Sequence, residues 1–122
     1  MANAILNHPR NSDIRQAAAN GELKAQTLYE EFLRLVYRLL FLMVTEERNL
    51  LCPNAVYRER YSVSRLRRLC ENRHARNQHA DLWAGLQSTF RLFHNEELGR
   101  VLEAPPLNGD LFNARLLRCR IV

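Results

Sequence analysis

Apolar residues recur along this chain at helical spacing, separated by short polar breaks, and almost nowhere alternate in the two-residue rhythm of a strand. The strongest stretch opens at Thr27, where Thr27-x-x-Glu30 predicts a capping box. Leu28, Phe32, Leu35, Val36, Leu39 and Met43 then line one face, and Tyr29, Leu33, Leu40 and Val44 widen it. Glu30, Glu31, Arg34 and Arg38 lie toward the other side, until Glu46-Glu47-Arg48 marks a polar end and Cys52-Pro53-Asn54 stops the helix. The pattern predicts about 24 residues of helix, apolar over more than half its circumference, as the central helix of a bundle.

Weaker elements flank it. Ser12 or Asn11 is positioned to cap a short helix through Ala17 to Ala19, which Asn20-Gly21 ends or interrupts. Tyr57 to Tyr61 reads as an irregular connector. Ser62 then predicts an N-cap for a helix to about Asn72, with Val63, Leu66, Leu69 and Cys70 inward and Arg65, Arg67 and Arg68 on its other sides. A polar break over Arg73 to Gln78 precedes a further helix from about Ala80 to His94, with Leu82, Trp83, Leu86, Phe90 and Phe93 at helical spacing. After Gly99 the pattern changes: Pro105-Pro106 forbids helix and Asn108-Gly109-Asp110 signals a turn. Leu107, Leu111 and Phe112 are pegs that dock this loop, and a further helix starts over Ala114 to Val122. The expected fold is all-α, a single bundle of four to five helices with a Pro/Gly-rich C-terminal loop. Its segments are 1–26, a short helix and linker; 27–94, the core helices; and 95–122, the docking loop.

Composition agrees with one folded domain: 122 residues, 47% apolar and 25% charged. The longest nearly apolar run, Leu35 to Val44, is interrupted by Arg38 and is half the ~20 residues a bilayer crossing needs. Met1 to Arg10 has neither the basic start nor the apolar stretch of a signal peptide, so the expected location is cytoplasmic, with no membrane partner.

Charge is more informative than composition. Of 18 basic residues only Lys24 is lysine, an excess that codon usage or phosphate recognition would each produce. Position is more telling than number. Arg58, Arg60, Arg65, Arg67, Arg68, Arg73 and Arg76 stand against only Glu59 and Glu71, and the rest of the chain balances at 11 basic to 11 acidic residues. The whole excess of +5 is therefore one patch, the candidate for DNA-phosphate contact. The same guanidinium groups would equally suit a solvated face or the carboxylates of a partner protein.

Catalytic chemistry finds no foothold. The chain has no Gly-rich phosphate loop, no GxSxG elbow and no HExxH. Glu22-Leu23-Lys24 with Asp13 matches part of a nuclease signature, but on helix and turn rather than on adjacent strands. Glu46-Glu47 point about 100° apart on a helix, and they are expected to face solvent or pair with arginine. Cys70, His74 and His79, with Cys52, approach a ligand set, yet the cysteines stand 18 positions apart rather than as a close pair. No metal, cofactor or enzymatic activity is expected. Trp83, Phe90 and Phe93 are expected in the core rather than as base-stacking platforms.

Four blocks resemble one family in the same order. Leu35 to Leu51 (LVYRLLFLMVTEERNLL) is similar to the LLYRLLFLLFAEERGLL helix of restriction–modification proteins that fuse a nuclease to an adenine-specific DNA methyltransferase, and of related phage-defence methyltransferases. Tyr57 with Tyr61 to Arg67 resembles their Y..YSL.RLR segment, and His79 to Phe93 their H.DLW..L..LFRL helix. Pro105 to Phe112 (PPLNGDLF) fits a turn of the same spelling. In that family the region is a helical connector between nuclease and methyltransferase. The S-adenosylmethionine loop and the Asn-Pro-Pro-aromatic motif lie downstream of the turn. Ala104-Pro105-Pro106-Leu107 lacks the Asn and the aromatic, so the resemblance implies a context without a catalytic site. The chain stops at Val122, soon after the octapeptide, where the family's proteins run on.

The resemblance implies a non-catalytic helical domain or fragment that scaffolds, and the arginine patch adds contact to DNA phosphates as the expectation. Apolar surface is left for a methyltransferase domain or for self-association. The rival readings are a free-standing small nucleic-acid-binding or regulatory protein and a protein-interaction module.

Overall fold

A computed structural model describes residues 2–72, 74, 81–107 and 109–113. It is all-α, with no strand among the described residues. The helices are α1 (Ala2–Leu6), α2 (Ser12–Ala19), α3 (Ala25–Glu47), α4 (Val63–Glu71), α5 (Asp81–His94) and α6 (Glu96–Val101). A single 3-10 turn (Pro9–Asn11) joins α1 to α2, and a π turn (Tyr57–Tyr61) precedes α4.

α3 begins two residues before Thr27, with Lys24 at its N-cap and no side chain capping it. The expected capping box does not form, because Thr27 is already inside the helix and Glu30 instead accepts from Gln26 Nε2 at 3.0 Å. The helix also ends before the proline. Asn49 adopts φ 54°, the Asn49 amide reaches the Glu46 carbonyl at 3.0 Å, and Leu50 reaches Thr45 at 2.9 Å. These are the two bonds of a left-handed C-terminal cap, a conformation that asparagine tolerates better than most residues.

The main core gathers Leu42 of α3, Leu51, Cys52, Tyr57, Val63, Leu66, Leu86, Leu92, Phe93, Ala104 and Phe112. Burying Leu42 and Phe93 almost completely stabilises the fold by about 2–3 kcal/mol each. Trp83 and Phe90 are half-buried against this core, so with Phe93 they serve packing as expected. A smaller core of Leu28 and Phe32 is covered by Ile5, Leu6, Ile14 and Leu23, with Trp83 touching both. The N-terminal pair of helices closes over it because Arg15 Nη1 donates to the carbonyls of Leu6 (2.6 Å) and His8 (2.9 Å). Asn11 does not cap α2; its buried side chain donates to the Ile5 carbonyl at 2.7 Å.

Arg38 reverses its expected placement on the polar side of α3. It is buried, its Nε donates to the Leu111 carbonyl, and its Nη2 lies 3.4 Å from the Asn113 carbonyl. Its guanidinium stacks 5.4 Å from the Phe90 ring centre and 5.6 Å from that of Phe112. Burial, followed by the neighbouring Arg34, lowers its pKa, while Glu31 raises it. An arginine so placed still stays charged. Leu107, Leu111 and Phe112 pack on the core as the expected pegs. Arg38 is thus what receives the docking loop.

Three further expectations are corrected. Tyr57 to Tyr61 is a π turn, closed by Ser62 N–H to the Tyr57 carbonyl at 3.0 Å, rather than an irregular connector. Leu69 and Cys70 are exposed, because α4 turns only Val63 and Leu66 fully inward. Helix resumes beyond the expected end at His94, with Gly99 inside α6; a Cβ there would lie 2.7 Å from the Leu92 carbonyl oxygen. The predicted start of helix over Ala114 to Val122 and most of the Arg73 to Gln78 break lie outside the described residues.

Candidate nucleic-acid interface

The basic patch is built on the π turn and α4, whose start is held by two side chains. The Ser62 hydroxyl accepts from the Arg65 amide at 3.1 Å and donates to the Arg58 carbonyl at 2.7 Å, so the predicted N-cap forms. The amides of Val63 and Ser64 both go to Glu46 at 2.8 Å, one to each carboxylate oxygen. Every orphan amide of the first turn is thereby satisfied, and the positive end of α4 is neutralised from within the chain. Glu46 is therefore half-buried on these amides and has no arginine partner among the described residues, in contrast to the expectation.

Tyr57 completes this joint. It packs edge-on against Phe93, ring centres 5.6 Å apart, and donates its phenol to Glu46 at 2.6 Å. Burial first, then that hydrogen bond and the Glu46 charge, push the phenol well above the ordinary tyrosine range. On the other side, Thr89 of α5 is fully buried and donates to the Tyr61 carbonyl at the end of the π turn.

Between the end of α3 and α4 lies a cavity of about 520 Å³. Met43, Leu51, Cys52 and Tyr57 contribute its apolar floor, and Ser64, Arg67, Arg68 and Glu71, one face of α4, form a wall. Arg58 and Glu47 complete the rim. Arg58, Arg60 and Arg68 are exposed and have no carboxylate within 4.0 Å among the described residues. Arg67 is exposed and meets Glu71 at 3.7 Å, a weak surface pair. Arg65 differs from them: it is half-buried and donates to the Arg60 carbonyl at 3.2 Å, bracing the π turn. Arg73 and Arg76 lie outside the described residues.

The Cys52, Cys70, His74 and His79 set is not assembled in the described part of the chain. Cys52 is buried with its thiol on the Leu102 carbonyl at 2.9 Å, Cys70 and His74 are exposed, and His79 lies outside the described residues. No group of three or more metal-ligating side chains occurs among the described residues. Lys24 and Glu22 flank the start of α3, with Asp13 in the first turn of α2. No described helix is long and apolar enough to cross a membrane. Comparison with family models, curated proteins and solved structures finds no match to this chain.

Glu46 is the residue that sequence reasoning missed. Its role depends on the chain returning 17 positions later, which helical periodicity does not encode.

Proposed function

We propose that the chain is a non-catalytic, cytoplasmic helical module of a restriction–modification type adenine DNA methyltransferase, which scaffolds its parent and contacts DNA phosphates. The observation that carries the DNA contact is the set of exposed guanidinium groups of Arg58, Arg60, Arg67 and Arg68 on one turn and one helix. Three of them have no carboxylate partner among the described residues. A forked guanidinium suits phosphate oxygens, and a cluster of them yields affinity that is independent of sequence and steep in salt. The four sequence blocks that resemble those of the methyltransferase family supply the context. Arg65 acts as a brace in this reading, and Arg73 and Arg76 belong to the cluster by sequence alone.

Titration of labelled duplex at two salt concentrations tests it. Reversing Arg58, Arg67 and Arg68 to Glu is expected to weaken binding strongly in low salt and to flatten the salt dependence by about three in log–log slope. Affinity that ignores the reversal would sink the DNA reading. Calorimetry with S-adenosylmethionine is expected to show no heat of binding; saturable heat would overturn the non-catalytic reading.

A further inference from the structure

α3 is apolar on two faces. One face covers the cores through Leu28, Phe32 and Leu42. On the other lie Tyr29, Leu33, Val36, Tyr37, Leu40 and Val44, at the three- and four-residue steps of a coiled-coil seam. Tyr29, Tyr37, Leu40, Val44 and neighbouring Phe41 are between 40% and 57% exposed. Leu33 and Val36 are half-buried, yet among the described residues they belong to neither core. The expectation that Tyr29, Leu40 and Val44 widen the core face is therefore corrected: they form a second, uncovered face. Side chains of this size, half out of water, leave on the order of 500 Å² per chain, so two copies bury ~1,000 Å², the lower bound for a specific pair.

We propose that this face joins two copies of the chain, with their α3 helices antiparallel about a twofold axis between Val36 and Tyr37. In that register Tyr29 lies across from the partner's Val44, Leu33 across from the partner's Leu40, and Val36 across from the partner's Tyr37. The outer and central pairs combine a tyrosine with a valine, the remaining pair is leucine on leucine, and one patch serves both halves of the interface. Charge selects the direction. Parallel helices would set Glu47 against Glu47 in the last turn of the seam, where like charges repel. The antiparallel register instead places Glu47 across from the partner's Gln26. It also brings Glu30 within about two helical turns of the partner's Arg48. All four of these edge residues are exposed. None of them, and none of the seam residues, belongs to the arginine patch, so the inference stands apart from the DNA reading.

Sedimentation equilibrium of the full chain, from micromolar to submillimolar concentration, is expected to show a monomer–dimer equilibrium. The double variant Tyr37→Glu with Leu40→Glu weakens it by about a hundredfold, with far-UV circular dichroism unchanged. Val44→Glu, near the helix end, acts in the same direction as a second, milder variant. With Cys70→Ser and Cys119→Ser in place, mixed Tyr29→Cys and Val44→Cys chains cross-link to each other, while Tyr29→Cys alone does not. A monomer at every concentration, or a dimer indifferent to these glutamates, overturns the proposal. Cross-linking of Tyr29→Cys to itself overturns the antiparallel arrangement.

Discussion

Glu46 and Ser64, eighteen positions apart, are joined twice through one oxygen: Glu46 Oε2 accepts from the Ser64 amide at 2.8 Å and from its hydroxyl at 2.7 Å. The C-terminal end of one helix thereby supplies the N-terminal cap of the next. This contact sets the angle at which α4 and its arginines leave α3.

Removing that carboxylate separates its role from that of its neighbour. Glu46→Ala is expected to cost about 2–3 kcal/mol, because two helix amides and a phenol lose a charged acceptor. Glu47→Ala, one position on and exposed, stays within about 0.5 kcal/mol of the parent. Urea denaturation of the two variants measures both.

Tyr57 gives the joint a pH dependence. Its phenol pKa is raised in the folded state, so the folded chain holds that proton more tightly than the unfolded one. Its stabilising contribution is complete below the unfolded tyrosine pKa of about 10 and is lost as pH rises above it. The urea midpoint is therefore expected to fall in alkaline buffer, and Tyr57→Phe to lessen the fall. An equal fall in both proteins would contradict this assignment.

Just past the end of α6 stands one residue with a strained backbone, and inside the helix one that fits closely. Glu103 adopts φ 56° and closes the helix, with its amide on Arg100 and the Ala104 amide on Gly99. Glu103→Gly is expected to raise stability by roughly 0.5–1 kcal/mol by removing the Cβ clash. Gly99→Ala acts oppositely, costing about 1–3 kcal/mol, since its methyl would lie 2.8 Å from the Ala104 carbonyl oxygen. Thermal melts of the two variants should move in opposite directions.

Arg38→Met tests the buried guanidinium. Methionine keeps much of the packing against Phe90 and Phe112 but offers nothing to the Leu111 carbonyl. The loss is expected at about 2–3 kcal/mol. Protease cleavage near Leu111 and Phe112 should also speed up, as the docking loop loses its hold.

The helices with one clear apolar face were legible in the sequence. Ser62 announced α4, the spacing of Leu82 to Phe93 announced α5, and Leu107, Leu111 and Phe112 announced the docking loop. Reading failed where polarity and position part company. Arg38 reads as surface because it is charged, yet carbonyl groups and two aromatic rings satisfy it inside. Tyr29 and Leu40 read as core because they are apolar, yet they point to solvent. α1 and α6 are too short for periodicity to register. At the candidate interface the arginines were legible as a cluster. That Arg65 is a brace while Arg58, Arg60 and Arg68 have no carboxylate partner among the described residues depends on tertiary geometry.

The hold of Arg38 on Leu111 spans 73 positions of a 122-residue chain. During synthesis α3 emerges long before that carbonyl does. Until Leu111 appears, the guanidinium has to stay in water, and the face of α3 that carries it stays open. Completion of the main core is thus tied to the arrival of the docking loop, which makes this a late, non-local closing step. A chain released before that loop is made would carry an open seam at Arg38, where unfolding and aggregation begin.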